Sequence, residues 1–458
     1  MVGNSSGRAG RDRASKVIFI NRFFHPDHSA TSQMLSGIAF SLAREGRDVT
    51  VITSRLRYDA PDARLSTREE VDGVKVHRVW TSRFGRRSLA GRALDYLTFY
   101  PSAALALLRL SRQGDIVVAK TDPPMLSLMV APLARVRGAA LVNWLQDIFP
   151  EVASKLGFAQ GRVGRVAHRL LRSVRNFSLR HAHMNVVLGD RMAEYVSNLG
   201  VAPWRIRTIP NWADGTSIYP VGHEQNELRK AWGGCGKFIV EYSGNLGRAH
   251  DYRTLIDAIA HLEANRDAPG AQSSARPEIL WVFIGGGASY EALKHEVAAR
   301  QLTSVRFEPY QPTSKLAESL SAADVHLVSL HPELEGLVVP SKAYGIAAVG
   351  RPAIFVGDPD GEISRLLSRN QFGVTVRRGD GKELAQAIEA LAGDPELCSE
   401  MGRNARAAFD AAFDRQTALS RWQVLLRDVG SGSYRRAFFD RHVPVKTEPL
   451  VPQESGRS

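Results

Sequence analysis

The chain has 458 residues, of which 44% are hydrophobic and 23% are charged, and its formal net charge is +13. This length exceeds what one ordinary core supports and predicts two domains with appendages, and the composition is that of a soluble globular protein. The positive charge suits an anionic partner, namely nucleic acid, an anionic membrane face or a phosphorylated substrate. Alternatively, the basic residues simply solvate the surface.

The cysteine content and the N-terminus exclude several classes of protein. Only Cys235 and Cys398 occur, which excludes a disulfide scaffold or a cysteine-rich zinc site and predicts a reducing cytoplasmic location. Residues 1–15 are polar and basic without an apolar segment, so we expect a disordered leader and not a signal peptide. The nearest approach to a membrane span, 94–110, is interrupted by two charges and a proline, which argues against a span.

The first part of the chain alternates β-branched runs with helical periodicity. Residues 16–21 (KVIFIN) predict a strand, 32–45 a helix, and 48–53 (DVTVIT) a second strand. This order is that of a βαβ unit in a doubly wound parallel sheet. Further strands are predicted at 115–120 (DIVVAK), 140–147 (ALVNWLQD) and 183–189 (HMNVVLG).

A second alternating set follows a loop-like boundary that begins at 209–214 (IPNWAD). Its strands are predicted at 238–244, 279–287, 304–310, 324–330 and 352–357, and its helices near 251–263, 288–300, 313–322 and 382–393. We therefore predict an α/β protein with two tandem Rossmann-like domains, 16–215 and 216–400, that face each other across a cleft. Residues 429–458, rich in Ser, Arg, Pro and Glu, predict a disordered tail.

Ligands of open α/β sheets collect beyond the carboxyl ends of the strands, so the residues just after each predicted strand are site candidates. Polar or glycine-rich segments from both domains occur there: 24–27 (FHPD), 146–147 (QD), 243–248 (SGNLGR), 285–287 (GGG) and 331–336 (HPELEG). Their convergence predicts one cleft that both domains line.

The segment SGNLGRAHD, after the first strand of the second domain, has the features of a phosphate site. Gly244 and Gly247 let the backbone approach a phosphate, a helix starts just after them, and Arg248 adds a cation. The alternative is an ordinary glycine turn with a surface arginine. Gly285 and Gly286 predict close packing against a base or ribose, or merely a turn of the chain.

The Pro-Ser-Lys corner that opens a helix of small residues is a second phosphate candidate. Ser341 is placed to cap that helix or to donate to a phosphate, and Lys342 offers a point charge for the same oxygens. Just upstream, Glu333 and Glu335 predict hydrogen bonds to the hydroxyls of a sugar or ribose. The alternative for these two carboxylates is an exposed acidic loop.

Asp147 is the best candidate to face the acceptor or the reacting sugar, since a carboxylate at a strand end can position or deprotonate a hydroxyl. His25 is an alternative base. The chain shows no His, Cys or Asp spacing that would support a metal site, and no Walker-type phosphate loop. We therefore expect no metal.

Two segments of the first domain combine basic and apolar residues. In 162–180, arginines recur every three or four residues between apolar residues, as in a basic amphipathic helix at an anionic membrane face. In 83–110, arginines precede an apolar stretch with aromatic residues, which suits the headgroup zone of a membrane. The alternative is two core helices with a solvated basic face.

The tandem layout and four motifs together resemble the family 4 glycosyltransferases of the GT-B fold. The motifs are IPNWAD at 209–214, YSGNLGRAHD at 242–251, PSKAYGIAAVGRP at 340–352 and WLQDIFPE at 144–151. The closer resemblance is to the bacterial subgroup that acts in exopolysaccharide, colanic acid and O-antigen assembly, and the last motif also fits that subgroup. The resemblance covers roughly residues 16–428.

The resemblance implies a retaining, metal-independent transfer from a UDP- or GDP-sugar, usually to a polyprenyl-diphosphate-linked saccharide. It also implies a final helix, 401–428, that crosses back onto the first domain. The basic amphipathic segments 83–110 and 162–180 predict a location at the cytoplasmic face of the inner membrane. The residues that it implies as ligands of the donor diphosphate are Asn245, Arg248, Glu335, Ser341 and Lys342.

Several positions depart from the commoner pattern of that family. The usual arginine, lysine, second glutamate and acceptor-side histidine are replaced by Asn245, His250-Asp251, Gly345 and Gln146, respectively. The usual pair of glutamates is therefore not intact, and we expect Arg248 and Lys342 to supply the cationic contacts.

The preferred prediction is a membrane-associated glycosyltransferase of bacterial surface polysaccharide synthesis, with a nucleotide-sugar donor, a lipid-linked acceptor and no nucleic-acid partner. One alternative is a nucleotide-sugar epimerase on the same scaffold. Another is a non-enzymatic basic protein that binds a membrane or nucleic acid. Against nucleic acid, the basic residues lack an aromatic stacking platform or a recognition helix.

Overall fold

The computed structural model describes residues 15–27, 29–57, 65–85, 89–157, 161–266 and 277–435. Residues 1–14 of the predicted leader and 436–458 of the predicted tail lie outside the described residues. The described chain extends beyond the predicted end of the folded part at 428, because a helix continues to Gly430 and the following turn places Tyr434 against His183.

The first domain is built on an eight-stranded sheet. Its strands are β1 (Val17–Ile20), β2 (Val49–Ser54), β3 (Arg68–Val71), β4 (Val74–Val79), β5 (Ile116–Lys120), β6 (Ala140–Trp144), β7 (Met184–Val187) and β8 (Ile206–Thr208). Their order is β3-β4-β2-β1-β5-β6-β7-β8, and all neighbours are parallel except the β3–β4 edge hairpin. The five strands predicted from sequence are β1, β2, β5, β6 and β7, whose near-complete burial is typical of a parallel sheet covered on both faces.

Helices cover both faces of this sheet. They are α1 (Ala30–Arg44), α2 (Leu89–Leu110), α3 (Ser127–Arg137), α4 (Glu151–Lys155), α5 (Gly161–His181) and α6 (Asp190–Asn198). The core on one face contains residues of α1, and the core on the other contains residues of α2 and α3. Helix α5 packs beside α3 on that second side.

The second domain is built on a six-stranded parallel sheet. Its strands are β9 (Phe238–Asn245), β10 (Ile279–Gly286), β11 (Val305–Glu308), β12 (Val325–Ser329), β13 (Ala353–Gly357) and β14 (Gly373–Arg377). The helices are α7 (Glu227–Ala231), α8 (Arg253–Arg266), α9 (Tyr290–Ala299), α10 (Leu316–Ser321), α11 (Lys342–Ala348), α12 (Glu362–Asn370), α13 (Gly381–Ala392) and α14 (Pro395–Ala408). The strand order is β11-β10-β9-β12-β13-β14. Successive strands are added on one side of β9 up to β11 and on the other side from β12 onwards, and ligands of such sheets bind at this switch point.

The chain crosses between the domains twice, and the two crossings hydrogen-bond to each other. The Ala213 N–H donates to the Phe413 carbonyl at 3.2 Å, and the Arg415 N–H donates to the Ala213 carbonyl at 3.0 Å. The Arg415 guanidinium also lies 2.6 Å from the Asp214 carboxylate. The motif at 209–214 therefore forms one half of a paired hinge.

The predicted returning segment, 401–428, divides into two parts. Its first part belongs to α14, which packs on α11 and α13 of the second domain. The second part is α15 (Arg415–Gly430), which packs on α1 and contributes to the core of the first domain. Only α15 makes the return.

Trp422 anchors α15 to the first domain. Its ring is fully buried, 4.6 Å between centroids from that of Trp144, which in turn stacks on Trp212 at 6.1 Å. We expect Trp422→Ala to lower the free energy of unfolding of the first domain by about 3–5 kcal/mol, since it deletes a large buried side chain and leaves a cavity. Urea unfolding followed by circular dichroism measures the loss. The exposed Val424→Ala change on the same helix should have little effect, and an equal loss in both variants would contradict the anchoring role.

Candidate active site

The two domains touch where their strand ends face each other. The Ile148 N–H, just after β6, donates to the Leu337 carbonyl of the second domain at 2.9 Å, and Asp147 forms an antiparallel bridge with Val338. Buried side chains of both domains form one apolar cluster beneath this contact, including Ile148 and Leu337. The segments predicted to line the cleft from opposite domains therefore meet directly.

The turn after β9 packs against the end of β10 through glycine backbone. Gly244 has φ of +110° and Gly285 has φ of +121°, a region that other residues rarely adopt. A Cβ on Gly285 would lie 2.5 Å from the Gly244 carbonyl oxygen, and the Leu246 N–H donates to the Gly286 carbonyl at 2.7 Å. Both glycine segments are thus needed for the turn itself, and Gly285 and Gly286 also lie against the ring of Tyr310.

Lys342, the first residue of α11, reaches this turn from another part of the domain. Its Nζ lies 3.6 Å from the centroid of the Tyr242 ring and 3.9 Å from the position of a Cβ on Gly244. The Nζ is buried and has no hydrogen-bond partner among the described residues, although the stem of the side chain is partly exposed. Burial lowers the pKa of Lys342 from its usual 10.5 to about 7. A cation desolvated in this way is stabilised by an anion placed beside it.

Two imidazoles lie close to Lys342, and burial favours the neutral form of each. His250 Nδ1 lies 2.5 Å from the Ser329 carbonyl, and burial, with Lys342 as the next cause, lowers the pKa of His250 to about 3. His331 has a buried Nδ1 without a hydrogen-bond partner in the described part of the chain, and burial lowers its pKa as well. Lys342 is therefore the residue that brings positive charge to the Tyr242 ring.

The other residues of this turn and of the Pro-Ser-Lys corner that were predicted to bind the donor diphosphate are accessible from solvent. Asn245, the last residue of β9, and Arg248, in the turn that follows, are exposed, and Gly247 lies between them. Ser341 is exposed before α11, and its hydroxyl makes no hydrogen bond to the N-terminus of that helix, so the capping alternative is not observed. All four residues lie in the two segments that meet at Lys342 and Gly244.

The two predicted glutamates contact other residues of the second domain. Glu335 accepts a hydrogen bond from the Glu362 N–H at 2.7 Å, at the N-terminus of α12, and burial raises its pKa. Glu333 is exposed and lies 3.4 Å from the Arg378 guanidinium. Their hydrogen bonds to the hydroxyls of a sugar or ribose stay a prediction.

Asp147 lies at the interdomain contact and lines a small cavity of about 20 Å³ in the first domain. Burial, with Asp122 as the second cause, raises the pKa of Asp147 from 3.8 to about 6. The neighbouring Gln146 amide donates to Asn211 at 3.2 Å, so it orients the loop. The alternative base His25 is exposed and packs edge-on against Phe40 in the first domain.

Lys120, at the end of β5, is a buried cation that the sequence did not single out. Its Nζ lies 3.6 Å from the Trp144 ring centroid and donates to the Thr31 carbonyl at 3.1 Å. Burial holds the pKa of Lys120 well below its ordinary value. Lys120 and Asp147 line the same small cavity. The only signal in the sequence was a lysine that ends an otherwise apolar strand.

A second surface feature lies on the helices of the first domain. Helices α2, α3 and α5 expose large apolar side chains, a group that we call the α2–α5 surface: Leu94, Leu97, Leu105, Val136, Val166, Leu170, Leu171, Val174 and Phe177. On α5 these alternate with exposed arginines, including Arg165 and Arg169. Leu170 is 65% exposed and Phe177 is 60% exposed, so α5 is not a core helix with a solvated basic face.

The aromatic residues of α2 do not belong to this surface, contrary to the prediction. Phe99 is fully buried in the core, Tyr100 donates from its hydroxyl to the Pro124 carbonyl, and Tyr96 packs under the Arg22 guanidinium. In the described ranges no helix is long and apolar enough to cross a membrane. The same residues contain no group of three His, Cys, Asp or Glu side chains arranged to hold a metal ion.

Two parallel α/β domains that meet at their strand ends, joined by a paired hinge and a returning helix, define the GT-B fold. Two family models match the chain, a "Glycosyl transferase 4-like domain" over residues 30–212 and "Glycosyl transferases group 1" over residues 224–408. The chain belongs to the family 4 glycosyltransferases. The predicted family, fold and enzyme class are confirmed.

Named relatives agree with this assignment. The chain is 26% identical to the "Probable glycosyltransferase WbjE" of Pseudomonas aeruginosa over 92% of this chain and 99% of that one. It is 24% identical to the "Putative colanic acid biosynthesis glycosyl transferase WcaI" of Escherichia coli K12 over 77% of this chain and 85% of that one. Among solved structures, it is similar to HepE of Anabaena in complex with UDP-glucose, with a TM-score of 0.64 and 16% identity over 90% of this chain and 99% of that one.

Proposed function

We propose that this glycosyltransferase moves a sugar, with retention of anomeric configuration, from a UDP- or GDP-sugar to a polyprenyl-diphosphate-linked saccharide in bacterial surface polysaccharide synthesis. The observation that carries the proposal is the buried Nζ of Lys342, which lies beside Gly244 and has no hydrogen-bond partner in the described ranges of the chain. Such a site fits the diphosphate of a nucleotide-sugar, because the anion restores the solvation that the ammonium group lost on burial.

The electrostatics of the site suit departure of a nucleoside diphosphate. Charge develops on the leaving diphosphate as the glycosidic bond breaks, and preorganised cations and N–H donors stabilise it. Lys342 supplies an ammonium group at the turn. The guanidinium group of Arg248 supplies a second cation, which donates hydrogen bonds to the oxygens of the same diphosphate. Asp147, on the opposite domain, orients the acceptor hydroxyl towards the sugar. Retention is proposed by attack from the face that the diphosphate leaves.

The identities of donor and acceptor are supported by relatives. HepE of Anabaena was solved with UDP-glucose, which favours a nucleotide-sugar donor on this fold. The name of WcaI refers to colanic acid biosynthesis, which favours a role in the assembly of a surface polysaccharide. We also propose that transfer needs no divalent metal, because the chain itself provides cations for the diphosphate.

A panel of UDP- and GDP-sugars, each incubated with and without a polyprenyl-diphosphate-linked saccharide, tests this proposal. Acceptor-dependent release of nucleoside diphosphate is expected with one donor, and the anomeric configuration of the product should match that of the donor. A chelator should leave the rate unchanged. Isomerisation of the donor without nucleotide release would instead support the epimerase alternative, and silence across the panel would contradict the proposed substrates.

We further propose that the α2–α5 surface docks on the anionic cytoplasmic face of the inner membrane. Exposed apolar side chains of α5 would enter the headgroup boundary, and the arginines between them would pair with lipid phosphates. This arrangement holds the first domain against the membrane that carries a lipid-linked acceptor, while the donor pocket of the second domain faces the cytoplasm.

Replacing Leu170 and Val174 with glutamate should weaken vesicle binding at least about tenfold, because two apolar side chains lose their burial and two charges oppose the anionic lipid. Sedimentation with vesicles that contain anionic lipid measures the effect. Val424→Glu, which adds a charge to α15, is the matched control and should bind as the wild type does. Equal binding by all three proteins would contradict docking through α5.

A further inference from the structure

The turn that carries Asp147 is tied to α5 by a buried ion pair that has no part in the chemistry described above. The side chains of Arg175 and Glu151 are 5% and 8% exposed, and the Arg175 Nη2 lies 2.5 Å from the Glu151 Oε1. The Arg175 Nη1 also donates to the Phe149 carbonyl at 2.8 Å. One arginine of α5 therefore holds both ends of the segment 149–151.

Glu151 is the centre of a wider group of contacts. Its Oε1 also lies 3.0 Å from the Arg172 Nε and accepts from the Tyr195 hydroxyl at 3.0 Å. Donors from α5 and α6 thus converge on a single carboxylate oxygen. The contact between Glu151 and Arg175 is costly to break, because both side chains are buried and each would lose a charged partner.

The other side of the same turn contacts the donor domain. Ile148 donates to the Leu337 carbonyl, and the segment that begins there continues directly to Lys342. The neighbouring Gly336 is packed closely against α6 of the first domain. A Cβ on Gly336 would lie 3.1 Å from the Arg191 carbonyl oxygen and 3.7 Å from the Tyr195 Cβ. A displacement of the turn therefore changes the distance between Asp147 and the donor pocket.

We propose that Arg175 and Glu151 are positioning residues, which set the Asp147 turn in register with the donor domain. The inference rests on the proposed function.

Glu151→Gln and Arg175→Lys test the positioning role. We expect each variant to lower kcat about 10- to 100-fold, because small displacements of reacting groups have effects of this size, while the donor KM and vesicle binding stay at wild-type values. The double variant should be no worse than the poorer single variant, since both changes remove the same contact. The amide of Ile148 should exchange its hydrogen faster in both single variants, a readout that does not depend on activity.

Arg205→Lys is the matched control, because Arg205 makes comparable contacts away from the Asp147 turn. It donates to the Arg180 and Ala182 carbonyls at 2.8 and 2.7 Å, at the C-terminal end of α5. The Arg205→Lys change should lower stability without changing kcat or the exchange of Ile148.

If Glu151→Gln does not fold, Tyr195→Phe removes one hydrogen-bond donor to Glu151 and should give a smaller fall in kcat. Wild-type kcat and Ile148 exchange in the folded variants would overturn the inference. Absence of transfer by the wild type would overturn the proposed function, and the exchange measurement would then still decide whether the pair holds the turn.

Discussion

Lys342→Ala is expected to lower kcat/KM for the donor by about 100- to 1000-fold, the range seen when one preorganised donor to a developing negative charge is removed. The ammonium group of Lys342 is buried against Tyr242 with no hydrogen-bond partner in the described chain, so it contributes little to folding and much to an anion beside it. Steady-state release of nucleoside diphosphate, measured over a range of donor concentrations, gives the value.

The matched control for this variant is Lys237→Ala. Lys237 immediately precedes β9, at the end of the strand opposite to the Gly244 turn, and pairs with Glu278 at 2.8 Å. It should leave kcat/KM unchanged. A Lys342→Ala enzyme with wild-type turnover would show that the diphosphate binds elsewhere.

The same lysine predicts a pH dependence of donor binding. Because burial lowers the pKa of Lys342 to about 7, the free enzyme carries the charge below pH 7 and loses it above. The anionic donor favours the charged form, so binding above pH 7 requires proton uptake, and the donor dissociation constant should rise about tenfold per pH unit there. Lys342→Ala should bind weakly with a flat profile between pH 6 and pH 9.

Asp147→Asn is expected to lower kcat by about 100-fold, because the amide retains the shape of the side chain but neither accepts a proton nor orients a hydroxyl as a carboxylate does. Burial and Asp122 raise the pKa of Asp147 to about 6. The ionised form is present above that value, so wild-type kcat should fall as the pH drops through 6. The variant should lose this acid limb.

Asp48→Asn provides the comparison for Asp147. Asp48 precedes β2, at the opposite end of the same sheet, and pairs with Lys75 at 2.9 Å. Its replacement should preserve both kcat and the acid limb. An acid limb that persists in the Asp147→Asn enzyme would assign the titration to another group.

The central strands could be predicted because their composition reflects burial on both faces. Strand β1 reads VIFI and every residue of it is buried, so a β-branched run is a sufficient signal. Strand β3 reads REEV and is largely exposed in an edge hairpin, and β8 has only three residues, so neither carries an apolar signal. Their places depend on pairing with β4 and β7, which the local sequence does not encode.

The donor pocket was predictable in its parts but not in its contacts. Glycines after a strand and a lysine at a helix start are local patterns, and both lie where expected. The placement of Lys342 on the Tyr242 ring results from the packing of α11 beside β9, and no spacing in the sequence indicates it. The hydrogen bond between Glu335 and the N-terminus of α12 could not be predicted for the same reason, since that helix lies further along the chain.

A structure of the protein in complex with UDP or GDP tests the account most directly. We predict the diphosphate in the cleft between the domains, with an oxygen about 2.8 Å from the Lys342 Nζ and others facing the backbone N–H groups of Gly247 and Arg248. A nucleotide bound away from this turn, or a Lys342 ammonium group still unpaired beside Tyr242 in the complex, would contradict it.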